Sequence, residues 1–110
     1  MPVDYCLALC TCPDAESART VAMVLVERRL AACVNILPGL TSIYAWQGDI
    51  ETADEHLLFI KTRTEQFDAL ESAIKHLHPY DIPEIVMLPL LQGSADYLAW
   101  ISQCVGPAVR

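Results

Sequence analysis

Residues 32–62 read ACVNILPGLTSIYAWQGDIETADEHLLFIKT, and this stretch carries the strongest signal for the fold. Its first half is rich in Val, Ile and Tyr, its LPGL segment predicts a bulge or a bend, and its WQGD segment predicts a turn. Beyond the turn, Ala53, Leu57 and Phe59 share one face of a second strand, as the twofold period of a strand requires. The stretch therefore predicts a β-hairpin longer than so small a domain needs internally. Its far end is well placed to pair with a neighbouring subunit.

Patterns on either side of the hairpin predict five further elements. They are a strand over Val3–Cys10, a helix over about residues 15–29, a second helix from Thr64 to the residues before Pro79, a strand over Glu84–Leu91, and a last helix that begins after Ser94. Asp14, Thr64 and Ser94 are the expected N-caps of the three helices. Because Pro89 cannot donate a hydrogen bond within a sheet, the fourth strand is expected at an edge.

The order β-α-β-β-α-β with a C-terminal helix is the ferredoxin-like split βαβ pattern, which is an α+β fold. We expect residues 1–110 to form one domain, with both main helices on one face of an antiparallel sheet. Hydrophobic residues make up 54% of the chain, more than the roughly 45–50% of an ordinary soluble domain. The other face of the sheet is therefore expected to be apolar and covered by copies of the same chain.

Charge and composition exclude several classes of function. The net charge is −7, with seven basic against fourteen acidic residues, so nucleic acid is an unfavourable partner. No apolar run reaches the length of a membrane span, and the N-terminus lacks the pattern of a signal peptide. The five cysteines are an odd number, which favours free thiols in a reducing cytoplasm.

Two segments, ERRLAACVNILPGLTSIYAWQGDIE (27–51) and HPYDIPEIVMLPLLQGSADYLAWI (78–101), resemble the CutA divalent-cation tolerance family. The resemblance extends from about Tyr5 to Ser102. It implies a very stable homotrimer of ferredoxin-like subunits whose hairpins reach across to their neighbours. It also implies a link to copper and other divalent metals in bacteria, and an anchoring or trafficking role in animals. It implies no required cofactor and no defined molecular activity.

The resemblance also implies a set of copper ligands: a cysteine at the end of the first strand, a histidine before the PY motif, and a glutamate after the next proline. In this chain those positions hold Cys10, His78 and Glu84. Some bacterial members have two adjacent histidines where this chain has Leu77 and His78, so His78 or His76 takes the histidine's place. Thiolate, imidazole and carboxylate together suit copper and zinc.

Other uses of these residues stay open. Cys10 and Cys12 are two apart in a strand and face the same side, so they either hold one soft ion between them or pack in the core. Tyr80, Trp46 and Lys61 are candidates to line a cleft between subunits. The alternative for the two aromatic residues is that they are packing anchors at the trimer interface.

Two further classes of function compete with metal tolerance. Cys10, His78 and Glu84 have the chemistry of a nucleophile, a base and an orienting group, but the chain has no nucleophile elbow, phosphate-binding glycine loop or metalloprotease helix. We therefore expect no enzyme. A trimeric effector-binding module of the nitrogen-regulatory PII type is supported by fold analogy alone. The expectation is a cytoplasmic homotrimer for divalent-cation tolerance, with its own copies and metal ions, copper among them, as partners.

Overall fold

The computed structural model describes residues 4–106, and its elements follow the predicted order. They are β1 (Tyr5–Cys12), α1 (Ala15–Glu27), β2 (Cys33–Trp46), β3 (Asp49–Arg63), a 3₁₀ turn (Thr64–Gln66), α2 (Phe67–Leu77), β4 (Val86–Pro89) and α3 (Ala95–Cys104). The predicted α+β, ferredoxin-like class is confirmed. Within these residues no helix has both the length and the apolar character needed to cross a membrane.

The four strands form one antiparallel sheet in the order β2-β3-β1-β4. Alternate side chains of β1 enter the core that α1 and α2 cover, and all of these are buried: Cys6, Ala8, Cys10 and Cys12. On the opposite face, Leu7 and Leu9 of β1 lie beside Leu88 and Val86 of β4. The two main helices thus share one face, as predicted, and the face they leave open is apolar.

The β2–β3 hairpin has the predicted bulge and a two-residue turn. The register shifts between Leu37 and Leu40, where β2 contains one more residue than β3. At the tip, Trp46 pairs with Asp49 around Gln47 and Gly48, which have φ values of 50° and 87°. Two positive φ angles are typical of a type I′ turn, whose twist matches that of the strands. The hairpin is part of a chain whose longest dimension is 46 Å.

Two predicted strand boundaries were wrong. β1 continues to Cys12, which pairs with His56, rather than ending at Cys10; Val3, its predicted start, lies outside the described residues. β4 covers only Val86–Pro89, because its pairing with β1 ends there. Its edge position, expected from Pro89, is confirmed.

The predicted cap at Thr64 was also wrong. The backbone N–H of Thr64 donates to the carbonyl oxygen of Asp4 at 3.0 Å, which keeps this residue attached to the sheet. A 3₁₀ turn follows, and α2 begins only at Phe67, without a side-chain cap. The helix therefore begins two residues later than a cap at Thr64 would place it, because a long-range backbone bond holds Thr64.

The other two predicted caps are confirmed. The Asp14 carboxylate accepts the backbone N–H of Ser17 at 2.7 Å, and the Ser94 hydroxyl accepts that of Tyr97 at 3.2 Å. Each bond satisfies a backbone donor that the first turn of a helix leaves unpaired. The first of these caps fixes the chain just beyond the end of β1, beside the candidate site.

Candidate metal centre

Three metal-ligand side chains meet at the end of β1. Cys10 and Cys12 point to the helix-covered face and are fully buried, and His78, which follows α2, is 8% exposed. One ligand atom from each lies within 4.8 Å of the others. The structure thus brings together Cys10 and His78, two of the residues expected from the family resemblance, and adds Cys12.

Backbone geometry directs His78 to this place. The residue before a proline avoids the helical region, and His78, before Pro79, has φ −76° and ψ 139°. Its Nε2 lies 2.6 Å from the carbonyl oxygen of Thr11, and its Nδ1 accepts the backbone N–H of Tyr80 at 3.1 Å. A carbonyl oxygen only accepts, so Nε2 carries the proton and the ring is neutral. His78 therefore ties the loop after α2 to the end of β1.

The two thiols influence each other's ionisation. The hydrogen bond between them raises the pKa of Cys10 well above its usual range, and burial adds to this effect. The same bond lowers the pKa of Cys12, against the opposing effect of burial, and a hydrogen bond with Ser17 assists. Cys12 is therefore the thiol that loses its proton first. A thiolate is the form that binds metals.

The spacing of the three donors suits a small coordination sphere. With Zn–S bonds of about 2.3 Å, two thiolates in a tetrahedral site lie about 3.8 Å apart. Ligand atoms within 4.8 Å of one another would need to move by only about 1 Å to reach that geometry. Two sulfurs and one imidazole favour zinc or monovalent copper over harder ions.

A groove of about 690 Å³ lies on the other side of the end of β1. Thr11 lines this groove, because its side chain points away from the two thiols. Four carboxylates and three aromatic rings line much of the remainder: Glu51, Glu55, Asp81, Glu84, Tyr44, Trp46 and Tyr80. Trp46 and Tyr80, which were predicted to line a cleft between subunits, therefore line this groove within one subunit, together with Glu84.

Tyr80 connects the loop after α2 to β3. Its hydroxyl donates to Oε2 of Glu55 at 2.9 Å, and its ring packs against that of His78 with the centroids 4.8 Å apart. Glu55 is only 6% exposed. Burial, together with the hydrogen bond to Glu55, raises the pKa of Tyr80 to about 12. Within one subunit, Tyr80 thus anchors the loop by donating a hydrogen bond to the buried carboxylate of Glu55.

Three of the predicted site residues lie elsewhere. Glu84 lines the groove and is not one of the three clustered ligands. The ammonium group of Lys61 contacts the side-chain oxygen of Asn35, and Lys61 does not line the groove. His76 is exposed on α2. Sequence reasoning missed Glu55 as the partner of Tyr80, because nothing in either segment indicates a pairing across 25 residues.

The fold and its arrangement of elements define a small α+β protein of the ferredoxin-like class. Residues 6–104 match the family model described as CutA1 divalent ion tolerance protein, and the chain belongs to that family. The resemblance seen in the sequence is thereby confirmed.

Individual relatives agree with this assignment. The chain is 53% identical over 100 residues to the divalent-cation tolerance protein CutA of Thermus thermophilus, which covers 91% of this chain and 97% of that protein. It is 46% identical over 98 residues to the CutA homolog of Xenopus laevis, and these cover 89% of this chain but 65% of that protein. Among solved structures, CutA1 from Oryza sativa superimposes with a TM-score of 0.92 at 39% identity, covering 96% of this chain and 97% of that one.

Proposed function

We propose that this protein binds a thiophilic metal ion at Cys10, Cys12 and His78, and that it contributes to divalent-cation tolerance in this way. The observation that carries the proposal is the buried cluster of three ligand atoms within 4.8 Å of one another. The family to which the chain belongs is described by tolerance to divalent ions. Neither the family match nor the relatives support the alternative of a PII-type effector module.

The residues present fit a metal with few changes. Ligating histidines commonly donate their second ring N–H to a backbone carbonyl, and the bond from Nε2 of His78 to Thr11 is of this kind. The remaining lone pair, on Nδ1, accepts only the N–H of Tyr80, with which a metal would compete. Both thiols would lose their protons on binding, so affinity is expected to rise with pH. The bound ion would compensate the two thiolate charges in this buried site.

We further propose that the protein acts by binding and not by catalysis. Cys10 is fully buried, so a substrate has no route to its sulfur without opening of the core. His78 pairs with the backbone at Thr11 and Tyr80, and its two ring nitrogens therefore lack the hydrogen bond to a carboxylate that would orient a catalytic base. Metal coordination requires no substrate access and agrees better with this burial.

We also propose that three copies assemble in the cytoplasm. Leu37, Val86 and Leu88 leave an apolar, half-exposed surface on the open face of the sheet, and Ile50 near the hairpin tip is 79% exposed. A second copy would bury both surfaces. The free thiols agree with a reducing compartment. Light scattering should give about 37 kDa for three copies of 12.2 kDa, whereas a monomer mass at micromolar concentration would contradict the assembly.

The metal proposal is tested by anaerobic competition titrations of reduced protein with Cu⁺, Cu²⁺ and Zn²⁺. One ion per subunit is expected, with affinity reduced at least about 100-fold in Cys10→Ser and in Cys12→Ser, since even outer partners of a metal ligand are worth 10–100-fold. Glu84→Gln is the matched control and should bind normally. Unchanged binding in both serine variants would overturn the proposal. Loss in Glu84→Gln with normal binding in Cys12→Ser would return the site to Cys10, His78 and Glu84.

A further inference from the structure

The groove beside the end of β1 contains a buried carboxylate without a cationic partner. Glu55 is only 6% exposed, and its side chain lines the groove. Its Oε2 accepts the hydroxyl of Tyr80, but no residue between 4 and 106 donates to Oε1, and no Lys or Arg in that range pairs with this side chain. Carboxylates are seldom buried to this extent unless they are paired with a cation. A cation bound in the groove would balance this charge.

The other acidic residues spread negative charge along the groove. Glu51 and Glu55 are four apart in β3, so they share a face of the sheet and their backbone positions are about 13 Å apart. Asp81 and Glu84 belong to the loop after α2, which also lines the groove. None of the described residues that line it is basic. The groove therefore suits a ligand with positive charges at more than one point along its length.

The remaining walls favour an organic cation. Tyr44, Trp46 and Tyr80 place aromatic rings in the groove, and the faces of such rings attract ammonium groups. Ile43 and Ile82 add aliphatic surface and are 72% and 73% exposed. A methylene chain would bury part of this surface, whereas a hydrated metal ion would not. The volume of about 690 Å³ is within the range of small-molecule sites, roughly 300–1,000 Å³.

We infer that this groove binds a linear aliphatic polyamine. One ammonium group would pair with Glu55, another with the exposed carboxylates further along, and the methylene chain between them would lie against the rings. The net charge of −7 would also attract a polycation. The site lies on the face of β1 opposite Cys10 and Cys12, so this inference does not depend on the proposed metal site.

The test is isothermal titration calorimetry of reduced, full-length protein with spermidine, at physiological ionic strength so that diffuse charge attraction is screened. One spermidine per subunit is expected. n-Butylamine has a similar hydrocarbon segment but a single charge, and it should bind at least about 10-fold more weakly, since a charged hydrogen bond is lost. Mg²⁺ at the same concentration as spermidine should not displace it, because this ion gains nothing from the rings.

Variants locate the binding site. Glu55→Gln, which keeps an acceptor for Tyr80, should weaken spermidine binding at least about 10-fold. Trp46→Leu should weaken it about 2- to 5-fold, as expected for an exposed cation–π contact. Asp54→Asn is the matched control: Asp54 is adjacent to Glu55 in β3, is exposed and is not among the groove residues. It removes the same charge and should bind spermidine like the wild type.

Three results would overturn the inference. The first is the absence of spermidine binding by the wild type. The second is an equal loss in Asp54→Asn and Glu55→Gln, which would show that only the overall charge attracts the amine. The third is loss of spermidine binding in Cys12→Ser, which would move the amine to the thiol side, whereas normal binding there supports the groove. Circular dichroism establishes that each variant is folded, and Glu51→Gln, at an exposed position, tests the groove even if Glu55→Gln does not fold.

Discussion

The hydrogen bond from Tyr80 to Glu55 offers a direct measure of how strongly the loop after α2 is held. Tyr80→Phe removes the hydroxyl donor but keeps the ring that packs against His78. Glu55 is 6% exposed, so its carboxylate loses a 2.9 Å bond in a place that water reaches poorly. Hydrogen bonds to charged groups contribute about 1.5–3 kcal/mol. Because the groove gives the carboxylate some contact with solvent, we expect the lower part of that range, about 1.5–2 kcal/mol of lost stability.

The assay is urea denaturation followed by tryptophan fluorescence, at one protein concentration because an oligomer's stability depends on it. A double-mutant cycle with Glu55→Gln isolates the pair. The two single variants should each destabilise the protein, and the double variant should cost clearly less than their sum. A loss below about 0.5 kcal/mol in Tyr80→Phe, the size typical of a neutral surface change, would refute the assigned bond strength. Strict additivity in the cycle would refute the pairing.

Tyr80, Thr62 and Gly48 each support one further prediction. The pKa of Tyr80 is raised to about 12, so the stability that its neutral form provides is present below pH 10 and is lost as the pH rises from 10 to 12. Urea midpoints measured across this range should fall less in Tyr80→Phe than in the wild type. Midpoints of the two proteins that fall in parallel with pH would contradict the assignment. Thr62→Val removes a 2.7 Å hydrogen bond from a fully buried hydroxyl to the Leu30 carbonyl and should cost about 1–3 kcal/mol, with Thr62→Ser, which keeps the donor, closer to wild type in the same denaturation assay. Gly48→Ala places a side chain at φ 87°, which should cost about 1–2 kcal/mol of stability and lower the thermal midpoint. The space around the new Cβ is open, so this cost comes from the backbone angle alone. An unchanged midpoint would mean that the turn rearranges to relieve the strain.

The fold could be predicted from the sequence where its signals are local. The hairpin is specified by alternating β-formers around a two-residue turn, and the caps at Asp14 and Ser94 lie next to the helices they begin. The errors occurred where a distant partner decides the outcome. Cys12 stays in β1 because His56 pairs with it, and Thr64 remains attached to the sheet through Asp4.

The candidate site was only partly predictable for the same reason. Family resemblance identified Cys10 and His78, and the period of a strand placed Cys12 on the same side as Cys10. Glu55 was missed because its hydrogen bond with Tyr80 joins β3 to the loop after α2 across 25 residues, and no local pattern specifies such a pairing.

Because β1 lies between β3 and β4, the cluster of Cys10, Cys12 and His78 can form only after most of the chain has been synthesised. Cys10 and Cys12 are synthesised early, but His78 meets the backbone of Thr11 across 67 residues, and β4 must still pair with the other edge of β1. Closing so long a loop costs entropy that only the assembled sheet offsets. During synthesis both thiols therefore remain accessible on the unfinished protein. The folded core can shield them only after β4 has paired with β1.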